Sequence, residues 1–366
     1  MILYIFFYIL FIPFVILDYV KLSNREKNIT LFFLGGILSL FVGSRLIGPD
    51  LQTYKILYNL APNLYNLSRE FNYYTFLSKF EPLFIFLYSL SKTLNLSFET
   101  FNLVYSTIFV FLFIITIPKY TRYSFLAIFI YIGFAYMSGW SALRQFMGAS
   151  IFFYSLQFLF NGNRWKYLIC IVLATLLHYS AIVLIPLVLI PRNRFKTIWY
   201  YVLMIVFLML YFSGIISVFL GQILSYFPFL DKDKVENAIE SEDSLISSVF
   251  ILWTVINIIC LIAYKSIKEK VAHFDYFFNI LFSCYLTYIL LVGMGGLGRV
   301  IMYYKIMFPV FIPILAVIFV KKQRLLFVMG ILIISMYIYT NTIIGMDQNA
   351  GGILDKFIPY KSWLFN

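Results

Sequence analysis

Charge is scarce in this chain: 12% of its 366 residues are Asp, Glu, Lys or Arg, against about 25% in an average soluble domain. Apolar residues make up 62%, where about 45–50% is usual. A water-soluble globule of this length could not hide that much apolar surface, and a disordered chain would be poorer in it. Proline and glycine, at 11 and 18 residues, are too few for a fibrous repeat. The three cysteines, Cys170, Cys260 and Cys284, each sit inside an apolar run and form neither a metal spacing nor a disulfide framework. They read as small buried hydrophobes. No basic n-region or small-residue cleavage site marks residues 1–20, so no cleavable signal peptide is expected. The dyad alternation of a membrane β-barrel is also missing, because the apolar runs are long and unbroken. What remains is an all-α polytopic membrane protein, one integral membrane domain over residues 1–366.

A spanning helix needs about 20 largely apolar residues. Candidates are 1–20, 29–44, 98–117, 124–137, 142–160, 197–220, 245–264, 276–292, 300–320 and 325–344. Two further segments are awkward: 82–96 is short, while 166–190 is long, with His178 near its middle and Pro186 after it. The expectation is therefore about 10–12 membrane segments. The net charge of +12 lies mostly between the apolar runs, as the positive-inside rule distributes it, and points to no nucleic acid. Loops 21–28, 191–196, 265–270 and 321–324 are basic and read as cytoplasmic. The stretch 221–244 carries Asp231, Asp233, Glu236, Glu240, Glu242 and Asp243 and reads as an acidic external loop, and 45–81 as a second external loop. Both chain ends then lie outside.

The middle poses a parity problem. If 82–96 and 166–190 both cross fully, Arg144 faces the cytoplasm. If both are broken or re-entrant, the basic 119–122 and 164–166 become cytoplasmic and Arg144 and His178 face outward. The second option is preferred. It implies an outward-facing cavity beside His178, because non-helical backbone at membrane depth must line a cavity or be buried in protein.

Ionisable residues beside spanning helices need a reason, since each costs about 2.5–3.5 kcal/mol on insertion scales. Arg45, Asp50, Glu81, Arg144, His178 and Arg299 all fall at outer helix ends in the preferred topology. Arg45 is either an interfacial arginine paired with Asp50 or part of a loop, turned by Gly48-Pro49, that holds a guanidinium toward an anion. Glu81-Pro82 reads first as a helix start. Arg144, beside Gln145 in a break between apolar runs, opposes the helix dipole unless an anion sits at that terminus. Its fork suits phosphate or pyrophosphate oxygens. His178 is either a packing histidine or a general base; no second ligand stands at metal spacing, and His273 falls in a cytoplasmic loop. Arg299 ends the glycine-rich run 293–298, which lacks the strand and lysine of a nucleotide loop.

The stretch Arg45-x-x-Gly48-x-Asp50-x-x-x-Tyr54, the pairs Glu81-Pro82 and Arg144-Gln145, and Leu177-His178-Tyr179-Ser180-Ala181 occur in this order. Together they resemble the EpsG-like family of bacterial membrane proteins, which includes many O-antigen polymerases of the Wzy type. The resemblance covers roughly 29–191 and is only topological beyond; Arg299 matches no family motif. It implies a GT-C-like, metal-independent glycosyltransferase without cofactor, working in the lipid bilayer at the outer face of the bacterial inner membrane. The growing glycan would leave undecaprenyl pyrophosphate and join a lipid-linked repeat unit, with any chain-length regulator as a further partner. Under that resemblance Arg144, His178 and Asp50 are the catalytic candidates. Arg45, Arg299, Gln145, Tyr54 and Glu81 are the substrate- or pyrophosphate-binding ones. A flippase of lipid-linked oligosaccharides and an O-antigen ligase are the competing readings. The flippase expects an internal repeat that is not visible here.

Overall fold

A computed structural model describes residues 1–215, 219, 248–291, 300–348 and 356–364. The acidic stretch 221–244 and Arg299 lie outside these residues. The described chain is helical, without strands. Its elements are α1 (Ile2–Tyr19), α2 (Asn24–Gly43), α3 (Leu51–Leu60), α4 (Leu64–Ser78), α5 (Pro82–Thr93), α6 (Phe98–Tyr120) and α7 (Ser124–Tyr136). There follow α8 (Leu143–Phe160), α9 (Arg164–Leu177), α10 (Thr197–Phe212), α11 (Ser248–Ile262), α12 (Phe274–Leu291), α13 (Ile301–Ile318) and α14 (Lys321–Gln348). Among them α1, α2, α6, α12, α13 and α14 are long and apolar enough to cross a membrane. This is a multi-pass membrane protein.

Local chemistry sets the boundaries. A capping box opens α2: Ser23 Oγ accepts from the Glu26 amide and Glu26 accepts from the Ser23 amide. Ser97 caps α6 and Asn63 caps α4 in the same way. Pro82 begins α5 at a position where its missing N–H costs nothing.

The basic loops gather at one end of the bundle. Lys27 Nζ donates to the Arg122 carbonyl at 3.3 Å, and Lys119 Nζ reaches Gln157 at 2.6 Å. Arg192 donates to Leu159 O, Lys270 to Val317 O, and Arg324 to Ala316 O and Phe319 O. Asp18 accepts from the Phe125 and Leu126 amides, capping α7 from α1. All four loops expected to share a side therefore do so, and 119–122 and 164–166 join them.

At the opposite end Tyr4 donates to Phe357 O at 2.7 Å. There the segment 356–364 binds the chain just after α2, through Leu46 N to Lys361 O at 2.9 Å and Trp363 N to Ser44 O at 3.0 Å. Residues near both chain ends thus meet on the side away from the basic loops.

The parity problem resolves in favour of two partial segments. The C-terminal end of α5 is tied to α3 and the start of α4: Leu64 N donates to Thr93 Oγ1, and Tyr58 donates to Leu96 O. The stretch 166–190 folds back on itself. α9 stops at His178, whose backbone is extended (φ −159°, ψ 114°), and a 3-10 helix, Tyr179–Leu189, returns beside it. The Tyr167 hydroxyl donates to Leu184 O at 2.6 Å across this hairpin. Pro186 lies within the returning arm, where its lack of an N–H removes an α-helical hydrogen bond. The stretch 45–81 is mostly the helices α3 and α4, tied by Tyr74 Oη to Leu57 O at 2.7 Å.

Candidate active site

Three interruptions of helix build the site. α7 passes through a π turn (Ile132–Tyr136) and a short helix (Ser138–Ser141) before Ala142 breaks the path. Arg144 is then the second residue of α8. Glu81 stands at the N-cap of α5, and His178 occupies the tip of the hairpin.

Glu81 joins the other two. Its Oε2 pairs with Arg144 Nη1, and its Oε1 lies 2.8 Å from His178 Nδ1 and 3.3 Å from the Tyr179 amide. Although it sits at a helix start as the sequence suggests, its side chain makes no capping bond; both oxygens are spent across the site. The Glu81 side chain is 4% exposed, against 18% for Arg144 and 21% for His178, so the carboxylate is hidden while its partners keep access to solvent. Burial pushes the Glu81 pKa up, but the His178 hydrogen bond and the Arg144 charge outweigh it and hold the carboxyl below its ordinary value.

The anion that Arg144 needs at its helix terminus is therefore supplied within the chain, by Glu81. The guanidinium also lies 4.4 Å from the Phe80 ring centroid, a cation–π contact, and its Nε points to the Tyr54 hydroxyl at a long 3.5 Å. Nη1 and Nε are thereby both engaged within the protein. For His178, a carboxylate on Nδ1 fixes the ring orientation and makes Nε2 its basic atom in the neutral form. Behind the hairpin, Ser180 Oγ and the Tyr303 hydroxyl are hydrogen-bonded at 3.0 Å.

Arg45 is buried instead of presented, at 2% exposure. It donates to the Trp140 carbonyl and stacks 5.1 Å from the Trp140 ring, and the segment 356–364 covers it, with Ser362 bridged to it in antiparallel fashion. Its Nε and Nη1 have no hydrogen-bond partner among the described residues. The Gly48-Pro49 turn forms as expected: Gly48 has φ +133°, and a Cβ there would come within 3.1 Å of Arg45 Nη1. Asp50 follows in a left-handed conformation at the N-cap of α3 and receives the Tyr54 amide at its carbonyl. Gln145 is buried beside Arg144. Thus Tyr54, Glu81, Arg144 and His178 come together and Arg45 stands behind them. Among the described residues no three of His, Cys, Asp and Glu gather to hold a metal ion.

Sequence reasoning missed Phe80, Tyr303 and the Trp140 carbonyl. Phe80 could have been suspected from its place beside Glu81. Tyr303 carries no signal among 30 tyrosines, and a carbonyl carries none at all.

The fold and this cluster define a class: an all-α multi-pass membrane protein with a guanidinium, a carboxylate and an imidazole joined at the end away from its basic loops. The EpsG family model matches residues 28–362, and the chain belongs to the EpsG family, a Wzy-like polymerase family. Membership extends well past residue 191, through the half of the chain where the motifs fade. It carries a polysaccharide-polymerase type of function, of glycosyltransferase kind. No curated protein and no solved structure matches the chain.

Proposed function

We propose that the protein is an O-antigen or related surface-polysaccharide polymerase of the bacterial inner membrane. It transfers the growing glycan from undecaprenyl pyrophosphate to a lipid-linked repeat unit. The observation that carries this reading is the Glu81 carboxylate linking Arg144 to His178.

In the reaction, the bond from the donor anomeric carbon to the pyrophosphate oxygen breaks and a bond to the acceptor hydroxyl oxygen forms. Negative charge grows on the departing pyrophosphate, and the fixed Arg144 fork stabilises it where water is scarce. The acceptor proton passes to His178 Nε2, and Glu81 holds the imidazole and stabilises its cation, as the carboxylate of a catalytic triad does. Tyr54 and Gln145 line the donor side; Arg299, outside the described residues, is a further candidate cation for the pyrophosphate. Asp50 is the second candidate for the acceptor hydroxyl. No step needs a metal.

Orientation follows from charge: the basic loops face the cytoplasm, so the cluster opens outward to the periplasm. The exposure left to Arg144 and His178 supports a cavity there. Stretches 45–81 and 221–244 then lie on the same outer side, within a single membrane domain.

The test is a surface-polysaccharide gel of a strain lacking the gene, complemented with wild type or Arg144→Ala at matched membrane levels. A single repeat unit extended to a ladder by wild type alone is the expected result. Polymer stranded on its lipid carrier in the deletion means a ligase, absence of exported units means a flippase, and an unchanged ladder ends the reading.

A further inference from the structure

At the basic end, far from the cluster just described, a cavity of about 330 Å³ opens between the foot of the hairpin and the start of α12. Arg192, Lys268, His273 and Tyr276 are among its walls. A second depression, of about 450 Å³, follows 161–165, where α9 begins. Arg192 lies between the two: its guanidinium sits 5.6 Å from the Tyr276 ring and donates to Leu159 O. Gly162, at φ +80°, leaves the room it needs, since a Cβ there would stand 2.9 Å from Arg192 Nη2. That places the Arg192 guanidinium beside Gly162, two residues from Arg164 along the chain turn that opens α9.

The charges do not cancel. The one carboxylate lining the cavity, Asp275, is engaged by Lys268 at 2.8 Å. Arg164 and Arg192 have no carboxylate partner among the described residues. The N-terminus of α9, a 14-residue helix, adds its positive dipole end beside Arg164. Both arginines are exposed, where an anion at this surface can reach them.

The surroundings say where that anion comes from. Trp165 is 77% exposed at the foot of α9, and above it the outward face carries exposed Ile169, Val172 and Leu173. An aromatic ring at the boundary with an apolar face behind it is the environment of a lipid at headgroup depth. A soluble anion would find no use for that face.

We propose that Arg164 and Arg192, with the start of α9, bind the phosphate of an anionic phospholipid whose acyl chains lie along α9. This site is independent of the polymerase reading. Its phosphate ties the two legs of the hairpin together at the foot.

The test uses the full-length protein in phosphatidylcholine nanodiscs with and without phosphatidylglycerol, read by lipid retention in native mass spectrometry after delipidation. Wild type is expected to retain phosphatidylglycerol in preference to phosphatidylcholine. The Arg164→Gln/Arg192→Gln double variant should bind it about 30-fold more weakly, taking about fivefold for each basic residue. Arg164→Lys/Arg192→Lys should keep most of the binding, which separates loss of charge from loss of folding. Equal retention by wild type and the glutamine variant overturns the proposal, as does equal retention of phosphatidylcholine. Displacement of the lipid by inorganic phosphate would assign the site to a soluble anion and overturn it too.

Discussion

Glu81 Oε1 and His178 Nδ1 meet at 2.8 Å although 97 residues separate them in the chain. Neither residue is inside a regular helix. Glu81 precedes α5 and His178 ends α9, and each element is too short to cross the membrane, so their ends meet within the protein. The two short segments bring these side chains to Arg144.

Glu81 is expected to matter for both stability and rate. Glu81→Ala leaves Arg144 and His178 facing each other without a counter-charge. Removing one partner of a buried ion pair costs about 3–5 kcal/mol. About 2–4 kcal/mol is expected here, because Arg144 and His178 keep some contact with water. Glu81→Gln should spare more stability yet lose about 100-fold or more in chain extension, since a neutral amide no longer supports an imidazolium. Thermal melting in detergent and ladder length together check this. Full activity in Glu81→Gln would remove the carboxylate from the mechanism.

Arg144 is expected to act through geometry as well as charge. Its Nη1 holds Glu81, and the guanidinium lies over the Phe80 ring. A lysine supplies one charge without the fork. Arg144→Ala and Arg144→Lys are both expected to lose about 100–1,000-fold in rate, the scale of deleting a fixed donor to a developing anion. Ladder assays at matched expression read it; recovery in the lysine variant would mean that charge alone suffices.

Acid should loosen the site in a definite direction. The Glu81 carboxyl has a lower pKa folded than unfolded, so the unfolded chain binds the extra proton. Its stabilising contribution is fully present above the ordinary carboxylate value of about 4.3 and is lost as pH falls through the lowered folded value. Melting temperature measured from about pH 7 down to pH 3 should fall less steeply in Glu81→Gln than in wild type. Parallel curves would contradict the assignment.

Much of this was legible in the sequence, for physical reasons. Lys27, Arg192, Lys270 and Arg324 reported their shared side because charge is costly in hydrocarbon, and the same cost marked Arg144 and His178. That 166–190 is broken or re-entrant followed from counting charged ends. What stayed hidden depends on which atoms meet. Glu81 read as a helix start because its carboxylate's partners lie 63 and 97 residues away. Arg45 read as a candidate phosphate ligand because nothing in its own loop announces the segment 356–364 that covers it.

Arg45 is a buried cation bonded to the Trp140 carbonyl, four residues before Arg144, with two nitrogens unbonded among the described residues. Such a charge is a cost to folding, and replacing buried charges by apolar groups of similar volume is often neutral or stabilising. Arg45→Met is therefore expected to melt within about 1 kcal/mol of wild type, or above it. Activity should nonetheless fall, because the Trp140–Arg144 turn loses its anchor. Stability kept with function lost is the signature of a residue retained for the site. A matching loss of both in Arg45→Met would make Arg45 part of the scaffold alone, and full activity would leave its burial unexplained.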